Sequence, residues 1–139
     1  MTETIAVYID GDNISYKHID IILKEIKSYG RIIISRLYGD WSKENMKNML
    51  TSSSSYGIEL IQCERISGKN SSDIKLSQDC VHTLYSHPDI ENYVLVTGDG
   101  DFTSVVSDLK RHEKNVIGIS GGGSTSYVLK NACDEFIEL

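Results

Sequence analysis

The sequence predicts an α/β fold, a three-layer sandwich with a mostly parallel sheet and helices on both faces. Short apolar, β-branched runs alternate with stretches whose apolar residues recur at helical spacing, the pattern of strands joined by helical crossovers. The chain has 139 residues and a hydrophobic fraction of 40%, enough to build one core, so residues 1–139 are expected to form a single domain.

The elements follow in order. Residues 5–9 form an apolar run that ends at Asp10 and reads as a strand. Ile19, Ile22, Leu23 and Ile26 recur at helical spacing, and Gly30 stops that helix. Residues 31–38 are β-branched and apolar, a second strand. Residues 43–50 predict a helix with Met46, Met49 and Leu50 on one face, and 52–55 a loop or frayed end. Residues 58–63 are the third strand, and 67–72, rich in Gly, Ser and Asn, a loop. A helix over 73–85 places Ile74, Ser77, Val81 and Leu84 in one stripe, and Pro88 closes the region. A strand over 93–97, a helix over 102–112, a strand over 116–119, a Gly-rich loop over 121–123 and a helix over 126–132 complete the pattern. Residues 135–139 are a candidate for a last short strand.

Composition narrows the function. No apolar run approaches the ~20 residues that span a bilayer. The start, Met1-Thr2-Glu3-Thr4, lacks the basic residues of a signal peptide, so a cytoplasmic location without membrane attachment is expected. Cys63, Cys80 and Cys133 are far apart and show no metal-ligand spacing, which leaves them as buried hydrophobes in a reducing compartment. The net charge of −6 argues against gripping nucleic acid by general electrostatics. It does not exclude a nucleic-acid enzyme, because clustered carboxylates supply much of that charge and bound cations offset it.

The aspartates sit at informative places. Asp10 ends the first strand and Asp12 follows it, while Asp99 and Asp101 follow the strand over 93–97. Open parallel sheets bind ligands outside the carboxyl ends of their strands, so both pairs reach one edge. Asp73 begins a helix after the third strand and joins them; a carboxylate at a helix N-terminus is also favourable in its own right. Asp-Gly is an ordinary turn dipeptide. Here, however, a second aspartate follows each Asp-Gly, more than a turn needs. Carboxylates gathered this way suit a hard divalent cation, Mg²⁺ or Mn²⁺, which can activate water against a phosphodiester.

Tyr8-Ile9-Asp10-Gly11-Asp12-Asn13-Ile14 resembles the opening motif of NYN domains, in particular the LabA-like group within the PIN-like nuclease superfamily. Gly68-Lys69, Ser72-Asp73-Ile74 and Asp79 resemble that group's middle motif, and Val96-Thr97-Gly98-Asp99-Gly100-Asp101-Phe102 its Ser-Gly-Asp-Ser-Asp-Phe motif. Ser126, Leu129, Asp134, Phe136 and Ile137 look like its closing segment. The resemblance implies a Rossmann-like sheet and metal-dependent phosphodiester cleavage, with single-stranded or structured RNA as partner. It further implies Asp10, Asp73, Asp99 and Asp101 as the acidic centre, with Asn13 orienting a carboxylate or water. Asp12 and Asp79 are further candidates. Thr97 and Gly100 stand where the family usually has serine, and Asn70-Ser71-Ser72 replaces a more apolar stretch; every carboxylate is kept.

Lys69, Thr97 and Ser126 are candidate substrate contacts. Lys69 could neutralise a phosphate or be a solvated loop lysine; Ser126 could meet phosphate or cap its helix. The basic run Lys110, Arg111, His112 and Lys114 reads best as a solvated helix end. Tyr38 and Trp41 could stack a base, although packing fits them better. Two other functions stay open. One is a haloacid-dehalogenase-type phosphatase with Asp10 as nucleophile and Asp12 as general acid. The other is a non-catalytic metal- or RNA-binding regulatory domain. A homodimer is compatible with either, as with the nuclease.

Overall fold

Side chains along a strand point alternately to opposite faces, and this period of two sorts the first strand. The computed structural model describes residues 3–63, 71–121 and 123–139. In β1 (Thr4–Asp10), Ile5, Val7 and Ile9 enter one core layer, while Ala6 and Tyr8 enter the other. The run is therefore apolar at every position because both faces are covered, as expected of a central parallel strand.

The described residues form one six-stranded sheet in the order β3-β2-β1-β4-β5-β6, with every neighbouring pair parallel. Its other strands are β2 (Arg31–Gly39), β3 (Glu59–Gln62), β4 (Asn92–Val96), β5 (Asn115–Ser120) and β6 (Glu135–Glu138). Helices α1 (Ile19–Lys27) and α2 (Lys47–Ser54) cover the face of Ile5, Val7 and Ile9. Helices α3 (Ser71–Ser86), α4 (Thr103–Arg111) and α5 (Tyr127–Ala132) cover the face of Ala6 and Tyr8. The α/β three-layer reading of the sequence holds, and the last short strand is present as β6. The strand order reverses between β1 and β4. Chains leave those two strands in opposite directions across the sheet, so a crevice opens at their carboxyl ends.

Local readings shift in three places. The α2 region begins with a 3-10 turn, Glu44–Met46, and its helix runs on through Ser54, with Ser53 buried rather than looped. Ser71 and Ser72, expected in a loop, open α3; residues 64–70 lie outside the described residues. The buried stripe of α3 is Ser72, Leu76, Cys80, Thr83 and Leu84, whereas Ile74, expected inside, is 53% exposed. The rotation has a polar cause. The sheet face under α3 presents a row of buried tyrosines, Tyr38, Tyr8 and Tyr93, whose neighbouring rings lie 6.4 and 6.2 Å apart. The Tyr8 hydroxyl bonds Thr83, and that of Tyr38 donates to Asp79 at 2.6 Å. Buried hydroxyls need such partners, so the helix turns its polar residues to them.

Gly11 follows β1 where the chain passes close under β2. A Cβ there would lie 2.6 Å from the Tyr38 carbonyl oxygen, a backbone atom that cannot swing aside. Gly11→Ala is therefore expected to destabilise the protein by roughly 1–3 kcal/mol, as overpacking does. The change should appear as a lower urea midpoint with an unchanged denaturant slope. An unaltered midpoint would show that the two backbones separate freely.

Candidate active site

Strand parity places the first acid. Asp10 has the same parity as Ala6 and Tyr8, so its side chain goes to the face that carries α3 and α4. On β4, Tyr93 and Leu95 share that face, and Thr97 follows in step. The two strand ends thus meet through side chains. Thr97 Oγ1 donates to Asp10 Oδ2 at 3.1 Å, and Asn13 Nδ2 donates to the same oxygen at 2.6 Å. Asp10 has no solvent exposure, and its other oxygen, Oδ1, is buried without a hydrogen-bond partner among the described residues. An ionised carboxylate in that position is costly. Burial pushes the Asp10 carboxyl up to about 6, with Asp12 and Asp99 adding to the rise against the pull of Asn13 and Thr97.

The other acids come from two helix starts. Asp73 lies in the first turn of α3, half-buried, and is pushed up to about 7 by burial and then by the charges of Asp10, Asp99, Asp101 and Asp12. Asp99 caps the 3-10 turn Gly100–Phe102 by accepting from Asp101 N at 2.9 Å, so it does perform turn chemistry. That turn also swings Asp101 round to the same rim. One carboxylate oxygen from each of Asp73, Asp99 and Asp101 lies within 4.8 Å of the others. An all-oxygen set of this kind, beside a buried carboxylate with an unpartnered oxygen, fits a hard divalent cation.

The remaining candidates divide. Asp12 is exposed on the same rim and accepts from Ser72 Oγ at 3.0 Å, which ties the β1 loop to the start of α3. Asp79 is not brought to this group. Besides Tyr38, it meets Lys75 at 3.5 Å and Arg36 at 3.9 Å, and so fastens α3 to β2. Thr97 is 2% exposed, and both bonds of its hydroxyl are internal: it donates to Asp10 and accepts from Asp99 N at 3.1 Å. Its hydroxyl is thus engaged with Asp10 and with the backbone of Asp99. Ser126 caps α5, accepting from Leu129 N at 3.3 Å, while its own N–H donates to Gly98 O at 2.9 Å. Lys69 lies outside the described residues.

The basic run is occupied structurally. Lys110 meets Asp134 at 3.4 Å, Arg111 pairs with Asp108, and Lys114 donates to Pro88 O at 2.7 Å. Tyr38 is wholly buried, and Trp41 packs on the core with its Nε1 donating to Ile61 O at 3.2 Å. Tyr38 thus offers no face for a base, while Trp41 is partly buried. What the sequence did not disclose is a cavity of about 280 Å³ beside Asp99, lined by Asn13, Gly98, Asp99, Ser120, Gly121 and Ser124. Its only trace in the sequence is the glycine-rich stretch after β5. Ser72 was likewise missed as a partner of Asp12; a serine one residue before Asp73 carries no special signal.

A family model described as the NYN domain matches residues 4–139. Among solved structures, a protein of unknown function from Vibrio parahaemolyticus RIMD 2210633 is similar in fold, with a TM-score of 0.80 at 20% identity, covering 99% of this chain and 93% of that one. No curated protein matches the chain.

Two outcomes follow from this geometry. Folded Asp10 and Asp73 hold protons up to about 6 and 7, whereas unfolded carboxylates release theirs near 3.8. Between those limits the native state binds more protons than the unfolded state, so stability falls as pH rises. Calorimetry of the metal-free protein should show its melting temperature declining from pH 4.5 to 7.5, with Asp73→Asn flattening the upper part of the fall. A profile flat in wild type would contradict the buried-acid picture. Separately, a Cβ on Gly100 would lie 2.7 Å from Ser126 Oγ, the hydroxyl that caps α5. Gly100→Ser should displace the cap of α5 and cost about 1 kcal/mol in urea titrations.

Proposed function

The chain belongs to the NYN domain family of the PIN-like nuclease superfamily, and from that premise we propose that it is a divalent-metal-dependent nuclease acting on RNA. The observation that carries the reading is the Asp10 carboxylate, buried with one oxygen unpartnered among the described residues and close enough to Asp73 and Asp99 to couple with their charges, beside the clustered Asp73, Asp99 and Asp101 oxygens. A fold does not keep such a group unless something offsets its charge.

Asp73, Asp99 and Asp101 would hold Mg²⁺ or Mn²⁺, with Asp10 behind them. When bound, the cation supplies a water of lowered pKa and a positive charge against the charge that develops on a cleaved phosphodiester. The chain's own residues set the stage. Asn13 and Thr97 fix the orientation of Asp10 through its Oδ2. Thr97 also fixes Asp99 by accepting its backbone N–H, so one hydroxyl registers both strand ends. Without a cation, this acidic rim would repel an anionic backbone, so the cation is needed to admit substrate as well as to act on it. The proposal extends to LabA-like membership, on the motifs quoted above, and to a cytoplasmic location. The described residues contain no helix long and apolar enough to cross a membrane.

The test is single-turnover cleavage of short single-stranded RNA in Mn²⁺. Asp10→Asn should lower the rate on the order of a thousandfold, since it removes several kcal/mol of transition-state stabilisation, while circular dichroism shows the fold intact. Mn²⁺ should also raise the melting temperature of wild type, and much less that of Asp99→Asn. Equal cleavage by wild type and Asp10→Asn would place the chemistry elsewhere. RNA binding without cleavage by wild type would instead select the regulatory binding domain.

A further inference from the structure

The cavity beside Asp99 is left unused by the acidic centre. At about 280 Å³ it falls at the small end of ligand sites, roughly 300–1,000 Å³, so it suits one unit of a substrate and not a strand. Among the described residues its lining is an amide, two serines, a carboxylate and two glycines, Asn13, Ser120, Ser124, Asp99, Gly98 and Gly121. A nucleobase is held by aromatic or apolar faces, and none is among these residues. A phosphate is held by cations or by loop N–H groups; among the described residues no cation lines the cavity, and the Asp99 carboxylate in its wall opposes an anion. Groups that both donate and accept hydrogen bonds, set among small residues, match a sugar with free hydroxyls.

The lining is held from several sides. Asn13 spends Nδ2 on Asp10 at 2.6 Å, which orients the amide so that Oδ1 stands as an acceptor. Ser120 is nearly buried and bonds Thr125 Oγ1 at 3.0 Å. Ser126 N–H to Gly98 O, at 2.9 Å, clasps the loop after β5 onto the loop after β4. A Cβ on Gly121 would lie 2.9 Å from His18 Nδ1, so the His18 ring backs that wall.

We infer that this cavity is a ribose subsite, where Asn13 and Ser124 bond the 2′-hydroxyl of the nucleotide next to the cut and so distinguish RNA from DNA. The 2′-hydroxyl is the group by which a protein tells the two apart. The inference rests on the nuclease reading of the adjacent acids, because that reading brings a nucleotide to Asp99.

The experiment measures binding and cleavage separately on matched single-stranded RNA, DNA and RNA carrying single 2′-deoxy substitutions. Fluorescence anisotropy with Ca²⁺ as the hard cation gives affinity; single-turnover assays in Mn²⁺ give cleavage. Wild type should bind RNA about tenfold more tightly than DNA, the worth of one hydrogen bond. One 2′-deoxy position should account for most of that difference. Ser124→Leu, which fills the cavity from an exposed loop position, should bind RNA no better than DNA, with an unchanged melting temperature. Equal affinity of wild type for RNA and DNA overturns the subsite, as does a preference that survives Ser124→Leu. Cleavage of both polymers without preference overturns the subsite and leaves the nuclease standing. A preference erased by Ser124→Leu, with no cleavage of either polymer, supports the subsite and overturns the nuclease.

Discussion

The structure turns on one buried charge. Asp10 ends the central strand with its carboxylate removed from water, two donors on one oxygen and, among the described residues, none on the other. Its position follows from the sheet order. β1 and β4 are the two strands at which the chain reverses direction across the sheet, so their ends border the one crevice that crossovers leave open. Asp10 and Thr97 reach it on the same face because both keep the parity of residues that pack under α3 and α4. The acids around it raise its affinity for a proton. They also make a cation the natural neutraliser near pH 7, where protonation fades.

Holding Asp73 over that crevice is the task of α3, and most of the means lie away from the crevice itself. The helix is fastened through Tyr8 to Thr83 and through Tyr38 to Asp79, with Arg36 and Lys75 flanking Asp79. These bonds are satisfied polar contacts inside a packed face, where a lost partner would leave a buried hydroxyl unpaired. Asp79 therefore bears on the site by fixing the helix that delivers Asp73. Asp12 and Ser72 add a second fastening at the rim. The site stands on the end of β1, the first turn of α3 and the capped 3-10 turn that follows β4.

The glycines close to the site show how tightly the loops are fitted. Gly11 lets β1 leave under the Tyr38 carbonyl, and Gly100 leaves room for the hydroxyl that caps α5. Thr97, which like Gly100 stands where the family usually has serine, keeps the hydroxyl that serine would offer and adds a methyl group in a buried place. Both changes preserve the bonds that orient the acids.

The sequence by itself determined the layers and the strand-end acids. Apolar runs and helical spacing are set by local burial, and an Asp-Gly after a run marks where a strand stops. So the α/β order, and the carboxyl-end location of Asp10, Asp99 and Asp101, were legible from period and turn chemistry alone. The face of α3 was not, because which residues turn inward depended on tyrosine hydroxyls contributed by two strands, β1 and β2. The role of Asp79 was hidden for the same reason: its partners Tyr38 and Arg36 lie 41 and 43 positions away in the chain. The cavity beside Asp99 exists only where loops after β1, β4 and β5 meet. Periodicity records whether a residue is buried; only the packed structure decides against what.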